Sequence, residues 1–132
     1  MAPFPLTPDD EQRLAAVARN PRRLDVATVD ALVATLAHQR RLEDTVGAGL
    51  LVEPTRGQLT IVERLVPEAP DHLHRRMIDV AAQWAQFAGW LHAASGDASQ
   101  ATRWYTRAME WATEIGDADM MATALSMRGH LA

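Results

Sequence analysis

The sequence predicts an all-α protein, an array of about six helices built from antiparallel pairs. Three observations carry that reading. Apolar residues recur at i, i+3, i+4 and i+7 spacing in successive segments. Helix-starting and helix-stopping residues separate those segments: Thr7-Pro8, Asn20-Pro21, Pro67 to Pro70, Gly96-Asp97 and Gly116-Asp117. No segment alternates apolar and polar residues over a strand's length with β-branched enrichment.

Residues Met1 to Leu6 carry Pro3 and Pro5 and read as an extended lead-in before a single helical domain over 7–132. Thr7-Pro8-Asp9-Asp10 starts the first helix: Thr7 can accept from orphan amides, Pro8 suits the first position, and carboxylates suit the positive end of the dipole. It should run to about Arg19, burying Leu14, Val17 and Ala18, until Asn20-Pro21 stops it. A second helix is expected from Asp25 or Val26 to about Leu42. Its apolar face is Val29, Leu32, Val33 and Leu36, and Arg40 and Arg41 stand at its negative end. Gly47 and Gly49 then loosen the chain. The third helix, Pro54 or Thr55 to Val66, buries Leu59, Val62 and Val66, with Ile61 and Leu65 beside them. These three helices make an N-terminal group over 7–66.

After the Pro67-Glu68-Ala69-Pro70 break, Asp71 opens a fourth helix that continues to Ala94. Met77, Ala81, Trp84, Ala88 and Leu91 form its inward stripe, widened by Val80 and Phe87. Gly96 suits the left-handed turn that ends a helix, and Asp97 caps the next one. The fifth helix buries Ala101, Trp104, Tyr105, Ala108, Trp111, Ala112 and Ile115. Gly116-Asp117 repeats the punctuation, and a sixth helix follows with Met120, Met121, Ala124, Leu125 and Met127. The stretch 71–115 therefore reads as one complete helix pair, and 117–132 as the first helix of another.

Composition narrows the function. The chain has 132 residues, which suits one domain, and 48% are hydrophobic, enough for a core. The net charge of -4 argues against a nucleic-acid surface, which needs a basic patch. There is no Cys, so disulfides and thiolate metal sites are excluded. No apolar run approaches the roughly 18 residues of a membrane span. The start MAPFPLTPDDEQ lacks a basic segment followed by an apolar core, so it does not read as a secretory signal. A cytoplasmic protein is the expectation.

Small residues recur where two helix backbones must approach: Gly89, Gly96, Ala101 and Ala108, with Tyr105 filling a larger gap. That order resembles the tetratricopeptide repeat, a helix-turn-helix unit that stacks on copies of itself. Gly89 has a counterpart at Gly129, so the period is longer than the basic unit. The motif's early Trp falls on Ala85, its Leu on Ala88, its later Tyr on His92 and its closing Pro on Thr113. The phrases AAQWAQFAGWLH (81–92), the stretch 96–132 and ALVATLAHQRRLEDTVG (31–47) resemble the sensor region of actinobacterial Xre-type transcriptional regulators. Those proteins join a helix-turn-helix DNA-binding domain to a tetratricopeptide-like region that binds a signal or partner. The resemblance covers the chain from about Thr7 onward. No DNA-binding domain stands before Thr7, and the sequence stops where the family continues into further repeats. Direct nucleic-acid binding by this segment is therefore not expected.

In stacked repeats the first helix of each pair lines the concave face. With Gly89 as the small motif position, the groove stripe is Gln83, Gln86, Phe87 and Trp90, continued in the next repeat by Thr123, Ser126, Met127 and His130. A Trp among amides on a polar stripe suits a peptide, a small molecule or a partner protein. The competing reading packs Trp90 against the second or third helix and leaves both glutamines solvated. Trp84, Trp104 and Trp111 lie on apolar stripes and read as core, with indole NH groups that need acceptors. His38, His72, His74, His92 and His130 form no i, i+4 ligand pair and read as surface or helix-end residues, with no metal or cofactor expected. The pairs Arg22-Arg23, Arg40-Arg41 and Arg75-Arg76 offer an anionic-partner surface, but nearby acidic residues favour ion pairs within the chain.

No phosphate loop, nucleophile elbow or Ser-His-Asp set occurs, so an enzyme is not expected. The expected function is a non-catalytic sensor or interaction domain of a bacterial transcriptional regulator. The alternative is a self-associating scaffold with no ligand, in which the apolar surface of the sixth helix is buried in a homodimer or domain swap.

Overall fold

The computed structural model describes residues 7–19 and 24–131, the side chains of 15–19 excepted. Among the described residues there are six α-helices and no strand. They are α1 (Pro8–Arg19), α2 (Val26–Val46), α3 (Val52–Leu65), α4 (Asp71–Ala94), α5 (Ala98–Ile115) and α6 (Ala118–Gly129). Short 3-10 turns at Gly49–Leu51 and Val66–Glu68 flank α3. The expected lead-in, the side chains of Val17 and Ala18, the Asn20-Pro21 stop and Arg22-Arg23 lie outside the described residues.

The helix ends follow local chemistry. Thr7 Oγ1 accepts from the Asp10 amide at 3.1 Å at the start of α1. Asp25 caps α2 by accepting from the Thr28 amide at 2.9 Å and the Thr28 hydroxyl at 2.7 Å. The two Gly-Asp turns are copies of one device. Gly96 at φ +85° and Gly116 at φ +70° both take the left-handed conformation. After α4 the Asp97 amide returns to the His92 carbonyl at 2.8 Å, and after α5 the Asp117 amide returns to the Ala112 carbonyl at 2.9 Å. The same two aspartates then cap the following helices, accepting from Gln100 at 3.1 Å and Met120 at 3.0 Å.

Three expectations about the N-terminal half need correction. Helix α2 runs to Val46, not Leu42, because nothing in Leu42 to Val46 breaks a helix; Gly47 at φ +87° does. Arg40 and Arg41 therefore lie inside α2 rather than at its end. Val33 is 43% exposed, since the buried face of α2 is centred on Thr28, Leu32, Thr35 and Gln39. Helix α3 starts at Val52, and Pro54 is accommodated in its first turn, where amide groups have no helical acceptor.

Helix α4 is the centre of the molecule and packs against α2, α3, α5 and α6. Met77, Ile78, Trp84 and Leu91 are fully buried along it. Ala81, Ala82, Ala85 and Ala88 are buried between them and let neighbouring helices close in. The predicted stripe of α5 is buried too, with Ile115 half-buried. Gly89 shows why small residues matter here. A Cβ there would lie 2.5 Å from two carbons of the Tyr105 ring. No such constraint acts at Gly129, the proposed counterpart, where a Cβ meets nothing within 4 Å.

Contacts between side chains fix how the helices lie. His74 near the start of α4 meets Glu114 near the end of α5, Nε2 to Oε1 at 3.2 Å. Gly89 near the end of α4 meets Tyr105 in the first half of α5. Across α2 and α4, Asp30 pairs with Arg76 and Glu43 with Trp90, at sequence offsets of 46 and 47. Nearly equal offsets at two places mean that α2 and α4 run in the same direction. Gln86 of α4 reaches Met127 of α6 at an offset of 41.

Candidate functional site

One face of α4 stays free of the core along its whole length. His72, Arg76, Asp79, Gln83, Gln86 and Trp90 are separated alternately by four and three residues, so they share a stripe. All six are exposed or half-buried. The stripe is polar apart from one indole.

At its C-terminal end the stripe forms the wall of a cleft of about 360 Å³ between α4 and α2. Gln86, Phe87 and Trp90 line it from α4; Arg40, Glu43 and Asp44 line it from α2. Trp90 is 43% exposed, and its Nε1–H donates to the Glu43 carboxylate. That bond holds the indole plane while leaving much of the ring open. Arg40 and Glu43-Asp44 are three and four residues apart, on one side of α2. Arg40 is exposed at the rim, and partial desolvation by its neighbours lowers its pKa from the usual arginine value.

At the N-terminal end a second cleft, about 670 Å³, lies between α4 and the α5–α6 turn. His72, Arg75, Arg76 and Asp79 face Asp117 and Asp119 across it. Arg76 is held by Asp30, which fulfils the expectation of an intramolecular pair for that residue. A third cleft, about 400 Å³, runs between Glu63 of α3 and Arg103, Trp104 and Arg107 of α5. There the guanidiniums stack on indoles: Arg103 lies 5.1 Å from the Trp104 ring and Arg107 4.1 Å from the Trp111 ring.

The sequence-predicted groove residues divide. Gln86, Phe87 and Trp90 meet at the α2–α4 cleft. Phe87 has two expected places, the edge of the inward stripe and the groove; it is 4% exposed and joins the core, so the inward placement holds, and it meets the cleft only as part of its lining. Gln83 donates to Asp79 Oδ1 at 3.3 Å along α4. Met127 is half-buried and accepts from Gln86 Nε2 through its sulfur at 3.2 Å. Thr123, Ser126 and His130 are exposed on α6 and do not line the Trp90 cleft. The His130 ring lies back on its own helix, Nδ1 2.8 Å from the Ser126 carbonyl.

Arg40, Glu43 and Asp44 are not among the sequence-predicted groove residues; their i, i+3, i+4 spacing puts them on one side of α2 only because the helix continues past Leu42 to Val46. His92 sits at a helix end, as expected, and is buried there, with Asp97 Oδ2 3.9 Å from its Nδ1. Burial lowers its pKa from the usual histidine value, against the opposing pull of Asp97. The Trp84 and Trp104 indole NH groups are buried without a hydrogen-bond partner among the described residues.

Among the described residues, no group of three or more His, Asp or Glu is placed to hold a metal ion. None of the described helices is long and apolar enough to cross a membrane. No protein-family model matches the chain, and no curated protein and no solved structure shows significant similarity to it.

Proposed function

We propose that the chain is a non-catalytic, tetratricopeptide-like sensor or interaction domain of a bacterial transcriptional regulator, and that it binds an extended peptide segment of a partner along the open stripe of α4. The observation that carries this reading is Trp90, a 43% exposed indole fixed by Glu43 at the mouth of a cleft. Such a ring supplies apolar contact at little entropic cost to the protein, because its geometry is already set. The stripe from His72 to Trp90 extends about 27 Å at 1.5 Å per residue, the reach of about eight extended residues.

Several contacts support the repeat-like part of the reading. The pairings of His74 with Glu114 and Gly89 with Tyr105 suit α4 and α5 as an antiparallel pair. The duplicated Gly-Asp turns suit repeated units. Offsets of 46, 47 and 41 between α2, α4 and α6 suit three first-of-pair helices side by side, which is how stacked repeats make a groove. In this view a bound segment bridges neighbouring units and shifts their packing, and an attached or partner DNA-binding domain responds. Such a response requires that the ligand bind one arrangement better than the other.

The test follows the Trp90 indole NH resonance while pools of random octapeptides are added. A saturable shift in the wild type, with a rise in melting temperature that Trp90→Ala abolishes, supports the reading. It fails if no pool moves that resonance, and loss of stability in Trp90→Ala as large as truncation of a core Trp would then assign the ring to packing. Leu125, 52% exposed on α6, favours the second reading, self-association without a ligand. A monomeric mass by sedimentation at high concentration would dispose of that alternative.

A further inference from the structure

We infer that the α2–α4 cleft is a recognition site for a basic side chain, an arginine in the bound peptide; this deepens the groove reading above and rests on it. Two carboxylates, Glu43 and Asp44, line the cleft against a single cation, Arg40. Trp90 brings an indole face, half open to solvent, next to those carboxylates. An indole beside carboxylates is the arrangement that holds a guanidinium: the ring quadrupole attracts the cation's face and the carboxylate accepts from its edge. Arginine suits this better than lysine, because a flat, weakly hydrated guanidinium can stack and donate at once, whereas an ammonium is a compact, strongly hydrated charge.

The ring is already placed for that task. Its Nε1–H is committed to Glu43, so it does not need to reorient when the cation arrives. Asp44 is exposed, and among the described residues no cation lies within ion-pair distance of it. Arg40 also lies in no such pair among them, so the cleft's own cation does not neutralise the acids. An acidic ligand would meet Arg40 favourably and both carboxylates unfavourably. The balance of charge therefore selects a cation, and Arg40 at the rim weakens the site instead of forming it.

The experiment uses the full chain and five octapeptides of Gly, Ser and Ala that differ at one central residue: Arg, Lys, citrulline, Glu or Leu. Binding is read from the Trp90 indole NH resonance. The Arg peptide should bind at least about tenfold tighter than its citrulline isostere, which has the same shape without the charge. Lys should fall between them. Glu43→Gln keeps an oxygen to accept from Trp90 and removes only the charge; together with Asp44→Asn it should lose that tenfold preference. Arg40→Ala should tighten binding of the Arg peptide severalfold, and raising salt from about 50 mM to about 500 mM should weaken it. Preserved amide dispersion in each variant shows that the fold is intact. Equal binding of the Arg and citrulline peptides, or a Glu peptide that binds best, overturns the inference while the groove reading stands. If none of the five peptides and none of the random pools moves the resonance, both readings fall.

Discussion

Helices α4 and α5 approach along much of their length, whereas α2 and α3 scarcely approach at the backbone level, although each pair is consecutive in the chain. The two pairs also differ in the size of the side chains they bury. Helices α4 and α5 bury Gly89, Ala101 and Ala108, and the Tyr105 ring of α5 packs directly against Gly89 of α4. Helices α2 and α3 bury larger side chains, Leu32 and Leu36 on α2 and Leu59 and Val62 on α3, and a polar cluster lies nearer their connection. There the Thr55 hydroxyl donates to Gln39 Oε1 at 3.4 Å, and Gln39 Nε2 and Gln58 Oε1 find no partner among the described residues. Large residues and unmatched amides hold two helices apart; glycine and alanine let them close. The wide pair also packs against α1, and the close pair adds α6.

The sharpest way to break this comparison is Gly89→Ala. A single methyl would have to displace the Tyr105 ring from 2.5 Å, and the ring is itself buried. Overpacking of this kind costs about 1–3 kcal/mol, more than the gain in helix propensity returns. Chemical denaturation should show that loss. Gly89→Ala combined with Tyr105→Leu should lose less than the two single changes together, because the smaller side chain makes room for the methyl. Strict additivity would mean that the contact does not set the spacing of the pair.

In the wide pair the corresponding probe is Gln39→Met. Gln39 is fully buried, and its amide nitrogen has no acceptor among the described residues. Methionine has similar length and adapts to irregular space. Removing the orphan donor should stabilise the fold by about 1 kcal/mol, less whatever the long Thr55 bond contributes. A loss of stability would mean that a water or a better hydrogen bond serves the amide in solution.

Acidity probes the turn of the close pair. His92 is buried at that turn, its pKa lowered by desolvation, with Asp97 and Glu53 pulling it up and Arg56 adding to the depression. The unfolded chain has the ordinary value of about 6.5 and so binds the proton first on acidification. Stability should therefore fall as pH drops through about 6.5 towards the lower folded value, and stay flat above it. His92→Gln should remove that step in melting curves. Asp25 acts elsewhere on the scale. Its pKa is lowered by bonds from Thr28 and by Arg13, so its contribution is present above the unfolded value and lost only as pH falls below about 4.

The contrast between the pairs also shows what a sequence reveals. Helix α4 was legible to both of its ends, because Pro70 and Gly96 bracket it and its stripe of Met77, Ala81, Trp84, Ala88 and Leu91 keeps strict helical spacing. Helix α2 is legible only to within about one turn, because Arg40-Arg41 resembles a terminus and the true stop, Gly47, comes five residues after Leu42. The turn beyond Leu42 carries Glu43 and Asp44 of the cleft. Trp90, Gln86 and Phe87 were legible as candidates from one helix alone. Arg40, Glu43 and Asp44 were not, since their partnership with α4 depends on an offset of 46 to 47 residues that no local pattern encodes. Burial of His92 likewise depends on neighbours that are distant in sequence.

The smallest effect sharpens the comparison by reversing its sign. Gly57 is the wide pair's helical glycine, in the middle of α3 and exposed, and a Cβ there meets nothing within 4 Å. Its φ is not positive, so alanine adopts the same backbone without strain. Gly57→Ala should stabilise the protein by about 0.5–1 kcal/mol, through lower entropy of the unfolded chain and better helix propensity. The same chemical change, one methyl on a helical glycine, thus destabilises in the close pair and stabilises in the wide one. The midpoints of urea melts for Gly57→Ala and Gly89→Ala should move in opposite directions from the wild type. If both move downward, α3 is packed against something at Gly57 in solution. If both move upward, the Gly89–Tyr105 contact is not what holds α4 and α5 at their separation.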